Sequence, residues 1–199
     1  MISTKYKPLP LRIIKADAGF HRPRSTYMPV QADSPAIEVM TDLQKFSVST
    51  ISIDATVPQA TQKMVARGVR LLLVANYIGE ILGVITARDT MGERPIKHLQ
   101  QNGGKHGDLT VRDCMTPVSK VEVLSLKEVQ RAKVGHIVAT LESSGRQHAI
   151  VVDTDASGEE LIRGIFSITQ VGRQLGMTLE VFDVAKTFAE IDATLEGVA

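Results

Sequence analysis

The chain has 199 residues, enough for one ordinary domain or two small ones, and long enough to bury a real core. Apolar residues make up 43% and charged residues 23%, with a net charge of +1, so the totals are those of a globular protein with no global attraction to nucleic acid or a membrane surface. Cys114, the single cysteine, excludes an internal disulfide and a cysteine metal cluster and fits a reducing compartment; no stretch reads as a signal peptide or a membrane span, so a cytoplasmic location is expected.

Residues 1–33 hold "KPLPL", "HRPRS" and "YMPV", with scattered prolines and no sustained period, which predicts an extended arm. Ser34-Pro35 then reads as a cap and first turn opening "SPAIEVMTDL". From here the chain is written twice. "IEVMTDL" (37–43) matches "VRDCMTPV" (111–118), and each is followed by a β-favouring segment, "VSTISI" (48–53) and "KVEVLS" (120–125). "TVPQ" (56–59) and "SLKE" (125–128) then read as capping boxes opening helices. In the first helix Val57, Ala60, Met64 and Val65 share a face and Gly68 is the stop; in the second, a longer one, Val129, Ala132, Ile137 and Leu141 share a face up to Gly145.

Two buried-type strands follow, "VRLLLVA" (69–75) and "HAIVVD" (148–153), and polar turns lead back into "ILGVIT" and "LIRGIFS". A further helix starts at each of these strand ends, "GVITARDT" (83–90) and "GIFSITQV" (164–171). The unit is strand, helix, strand, strand, helix, and two such units of marginal size are expected to bury their sheets against each other. Residues 177–199 close the chain with apolar positions at helical intervals, an amphipathic helix that has to cover something.

This duplicated pattern resembles a tandem pair of cystathionine-β-synthase (CBS) domains, a Bateman module, over about residues 37–176. The carrying residues are the paired "VMT" and "CMT" segments, the capped helices and the endings "GVITARD" and "GIFSITQ". The resemblance implies an α/β fold, an α+β sandwich for each copy, with the two related by a pseudo-two-fold axis and separated by a cleft. The expected division is an arm (1–33), a first domain with its linker (34–109), a second domain (110–176) and the terminal helix (177–199). The resemblance further implies a regulatory adenosine-containing ligand (AMP, ADP, ATP or S-adenosylmethionine) and pairing into flat homodimers. No catalytic residue, metal ligand or required cofactor is expected.

The two strand ends differ in one charge. Thr or Ser at a strand-to-helix junction, followed three residues later by an acid or amide, is a helix cap, and Ser167 with Gln170 is expected to be no more than that. Asp89 is favoured at a helix start and can accept two hydrogen bonds while charged, which suits the neighbouring hydroxyls of a ribose. The resemblance places phosphate by Thr86 and ribose by Asp89, with Thr50, Ile51, Arg70, Leu72 and Val84 around the base. Ser167, His148 and Arg146 are candidates for a weaker second site, put in doubt by Gln170. Arg88 and Arg163 are further candidate cations.

Other motifs carry less. "DTDASGEE" (153–160) starts like a calcium loop but has Gly164 where the closing glutamate belongs, so a hairpin turn is expected. "GGKHGD" (103–108) lacks the spacing of a phosphate loop, and the histidines share no ligand spacing with acids or the cysteine. Two further readings stay open: a dimeric scaffold without ligand that holds a protein partner, and nucleic-acid binding through the basic "HRPR" (21–24) of the arm, against which the net charge argues.

Overall fold

The computed structural model describes residues 9–16, 18–19, 30–155 and 157–179. After a 3-10 turn at Ala36–Val39, the first lead-in is β1 (Thr41–Asp42). The first repeat continues through β2 (Thr50–Ser52), α1 (Val57–Arg67), β3 (Leu71–Ala75), β4 (Ile81–Thr86) and α2 (Ala87–Met91). A linking helix, α3 (Glu93–Asn102), and a short α4 (Val111–Cys114) lead to β5 (Thr116–Pro117). The second repeat follows as β6 (Val123–Ser125), α5 (Leu126–Val129), α6 (Val134–Ser143), β7 (His148–Thr154), β8 (Glu160–Ser167) and α7 (Ile168–Leu175).

There are two four-stranded sheets, in the orders β2-β3-β4-β5 and β1-β8-β7-β6. β1 therefore pairs with β8 of the second repeat, and β5 pairs with β4 of the first. Each lead-in segment crosses to the sheet of the other copy. Ala36, Val39 and Met40 are buried in the core built by the second repeat, with Val151 and Phe166; Leu109, Val111 and Cys114 lie in the first repeat's core with Val57 and Leu72.

The recurring glycine of "GVIT" and "GIFS" has its reason in this crossing. Gly83 faces Pro117 in the β4–β5 register, and a Cβ placed on it would stand 2.2 Å from the carbonyl oxygen of Thr116. A Cβ on Gly164 would meet the side chain of Met40 in the same way. A strand glycine marking close backbone approach is the expected device.

The strands are covered on both sides, which explains their unbroken apolar runs. Alternation sends Leu72 and Val74 of β3 toward α1, where Val57, Ala60 and Met64 bury them, and sends Leu71 and Leu73 the other way. On that inner side Leu71, Leu73 and Val84 of the first sheet meet Ile150 of the second, with Val121 and Ile165 against them.

Several local expectations hold in detail. Thr56 and Gln59 close the capping box of α1, and Gly68 ends it in the left-handed region at φ 63°. Asp155 accepts hydrogen bonds from the amides of Ser157 and Glu159, making "DTDASGEE" a hairpin turn, and Cys114 is fully buried. Others differ. Val65 is exposed, because α1 buries only one narrow face. Ser125 makes no side-chain cap, and the single long helix expected after it is broken between α5 and α6. The break has a cause in the other lead-in: Ala36 N donates to Ala132 O at 2.9 Å and Val134 N to Ser34 O at 2.9 Å, taking the backbone groups a continuous helix would need.

Of the arm, residues 9–16 and 18–19 carry no helix or strand, and Leu9 and Leu11 are exposed. The "HRPR" stretch and the terminal helix beyond Leu179 lie outside the described residues.

Candidate functional site

Two clefts open between the sheets, and each is built by both repeats. The first has a volume of about 320 Å³. Leu71, Val84, Val121 and Ile150 supply apolar walls, and Thr86 and Asp89 add polar lining. Its other lining comes from the second lead-in, through Thr116, Lys120 and Glu122, and from the start of β7, through Arg146, Gln147 and His148. Arg88 of α2 and Arg94 of the linking helix α3 add two cations.

Thr86 ends β4 and caps α2. Its amide donates to Asp89 Oδ2 at 2.8 Å, its hydroxyl donates to the same oxygen at 2.7 Å, and Asp89 N donates back to Thr86 Oγ1 at 3.4 Å. The second carboxylate oxygen, Oδ1, pairs with Arg94 Nη1 at 3.0 Å. That nitrogen also donates to Cys114 O and Thr116 Oγ1, each at 2.9 Å. One guanidinium thus ties the carboxylate of the first repeat to the lead-in of the second. The side chain of Asp89 is 13% exposed and that of Arg94 47%. At the rim, Arg146 pairs with Glu122 at 2.5 Å, and Arg88 donates to Gly145 O at 3.3 Å.

The second cleft, of about 410 Å³, is lined by Ser167, Gln170, Arg70, Thr169 and Arg173, with Val48 and Ile165 among its apolar groups. Among the described residues no carboxylate lines it. Its strand end does not behave as a cap: Ser167 makes no side-chain capping bond, and Gln170 Oε1 instead accepts from Thr41 Oγ1 of the first lead-in at 3.2 Å. The cap expected at Ser167 is therefore absent, while Thr86 and Asp89 do close a capping box. A glutamine can close such a box, as Gln59 does in α1, but Gln170 gives its side-chain oxygen to Thr41 of β1 instead.

The residues expected around Asp89 do not all gather there. Val84 does, and Arg146 and His148, expected at a second site, join it. Arg70 lies in the second cleft, donating to Thr169 Oγ1. Leu72 is fully buried under α1, on the face of β3 opposite the cleft; its neighbour Leu71 is the wall residue. Thr50 and Ile51 line a third depression with Asp54, Tyr77 and Arg112. The cause is the exchange of lead-ins, which brings residues 116–122 of the second copy, rather than 50–51 of the first, to Asp89. Arg163, another candidate cation, is held by Asp42.

His148 forms part of both clefts. Burial, and then the positive charge of Arg70, push its imidazole down to about 4. Burial first, and the carboxylates of Asp113 and Asp89 next, push the Cys114 thiol up, so it is a core group rather than a nucleophile. Among the described residues no cluster of His, Cys, Asp and Glu could hold a metal ion, and no helix is long and apolar enough to cross a membrane.

Residues 29–94 match the CBS domain family. The whole two-sheet arrangement is shared with a crystal structure of CBSX2 in complex with AMP, at 22% identity and a TM-score of 0.50, over 70% of this chain and 94% of that one. The chain has the fold of a tandem CBS-domain pair. An uncharacterized conserved protein from Pyrococcus horikoshii is similar in fold to this chain, with 19% identity and a TM-score of 0.52 over 77% of this chain and 100% of that one. So does the CBS-domain containing protein ATU1752 from Agrobacterium tumefaciens, at 19% identity and a TM-score of 0.51, covering 75% of this chain and 98% of that one. None of the curated proteins matches this sequence.

Proposed function

We propose that this CBS pair is a non-catalytic regulatory module that binds an adenosine-containing ligand in the Asp89 cleft. Occupancy changes the arrangement of the two repeats or of paired modules, and a separate protein partner reads the change. The observation that carries this reading is a carboxylate lining a cleft of about 320 Å³ that is walled by Leu71, Val84, Val121 and Ile150. Apolar walls suit a planar base, the carboxylate suits a vicinal diol, and Lys120, Arg88 and Arg146 offer charge to a phosphate. Likeness of fold to a protein crystallised with AMP supports the ligand class.

On this reading the module takes its ligand at Thr86, Asp89 and Val84, now joined by Leu71, Thr116 and Lys120. It works as a homodimer in the cytoplasm, where a lone free cysteine stays reduced. Occupancy acts through differential affinity for two arrangements. Calorimetric titration with AMP, ADP, ATP and S-adenosylmethionine tests the proposal: saturable binding of at least one is expected, and heat-free titrations with all four would refute it.

One observation favours a second reading, a dimeric scaffold without ligand: both oxygens of Asp89 already have partners inside the protein. A thermal melt unmoved by any of the four compounds would support it.

A further inference from the structure

Asp89 cannot grip two sugar hydroxyls while its present partners stay. Each carboxylate oxygen offers about two lone pairs. Those of Oδ2 are taken by the amide and hydroxyl of Thr86, at 2.8 and 2.7 Å. Oδ1 has one taken by Arg94. A single acceptor position is left, so a diol held by both hydroxyls has to displace one partner, and Arg94, half exposed and with two other acceptors at hand, is the one best able to leave.

The arginine is arranged for that displacement. Its Nη1 carries two hydrogens and faces three oxygens, those of Asp89, Cys114 and Thr116, at 3.0, 2.9 and 2.9 Å. When Asp89 turns to a ligand, the two remaining oxygens match the two hydrogens, and the guanidinium stays in the cleft with every donor on that nitrogen satisfied. What it loses is the anionic partner.

We infer that Arg94 is a specificity-determining residue of the first cleft, a resident cation that selects nucleoside phosphates over neutral nucleosides. A neutral nucleoside displaces the cation from Asp89 and returns no charge to it. A nucleoside phosphate supplies an anion within the same cavity, which Lys120, Arg88 and Arg146 also line. The inference rests on the Asp89 cleft being the ligand site.

The experiment compares AMP with adenosine on the wild-type protein and on Arg94→Gln, by calorimetric titration. Arg94 is half exposed, so its replacement leaves both cores intact. Removing the competitor is expected to tighten adenosine by about two- to five-fold, the range of a partly exposed ion pair. AMP gains nothing, so the preference of AMP over adenosine falls by the same factor or more. If AMP binds and depends on Asp89, yet that preference is unchanged or larger in Arg94→Gln, the selective role is overturned and the nucleotide site stands. If the wild type binds neither compound, this inference fails; the ligand reading fails with it only when ADP, ATP and S-adenosylmethionine also give no heat.

Discussion

Replacing Asp89 by alanine removes two things that a control can separate. The first is helix capping: Thr86 N and Oγ1 lose their acceptor, which costs about 1 kcal/mol of stability. The second is the charged acceptor for the ligand, whose hydrogen bonds contribute about 1.5–3 kcal/mol, or about ten- to a hundred-fold in affinity. The displaced Arg94 pair, half exposed on the arginine side, offsets at most about 1 kcal/mol of that. The structure contains a matched control. Asp113 accepts from Thr110 N and Oγ1 at 2.8 Å each, the same box, but lines neither cleft. Urea unfolding and AMP titration of both alanine variants give the comparison. Both are expected to lose similar stability, and only Asp89→Ala to lose affinity. Equal affinities in the two variants would refute the reasoning.

Gly83→Ala brings a methyl against the Thr116 carbonyl, a backbone atom that cannot step aside, and is expected to cost at least about 2 kcal/mol in urea unfolding. Gly164→Ala meets first the flexible Met40 side chain and should cost less; Gly107→Ala, with nothing nearby, should stay within about 0.5 kcal/mol. Equal costs at 83 and 107 would count against the crossing as the reason for the glycine. His148 has its folded-state value lowered from 6.5 to about 4, so the unfolded chain binds the proton first as pH falls. Its contribution is whole above pH 6.5 and is lost between there and about pH 4, up to about 3 kcal/mol. His148→Gln should flatten that part of a stability-against-pH curve, and an unchanged slope would contradict the assignment.

The repeats were legible because their signals are local. Capping at Thr56, the left-handed stop at Gly68, the unbroken apolar strands and the Asx turn at Asp155 each depend on residues a few positions apart. What the sequence hid is long-range. Nothing near Ser34 announces that its carbonyl will accept from Val134 and split a helix a hundred positions away. Strand parity put Leu71 rather than Leu72 on the cleft, a one-residue difference that an apolar run such as "LLLVA" does not display. The exchange of lead-ins moved the partners of Asp89 from 50–51 to 116–122. Gly83 and Gly164 were the signals that could have revealed it, since a glycine within a strand asks what comes close. Arg94 lay in the linking helix, beyond the matching parts of the two copies, and only its three oxygens give it meaning.

A crystal structure of the protein grown with saturating AMP tests the central claim most directly. The account predicts the ribose hydroxyls on Asp89 in the first cleft, with Arg94 withdrawn from Oδ1 and still bonded to Cys114 O and Thr116. A nucleotide seated beside Ser167 and Gln170, with the Asp89–Arg94 pair intact, would contradict it.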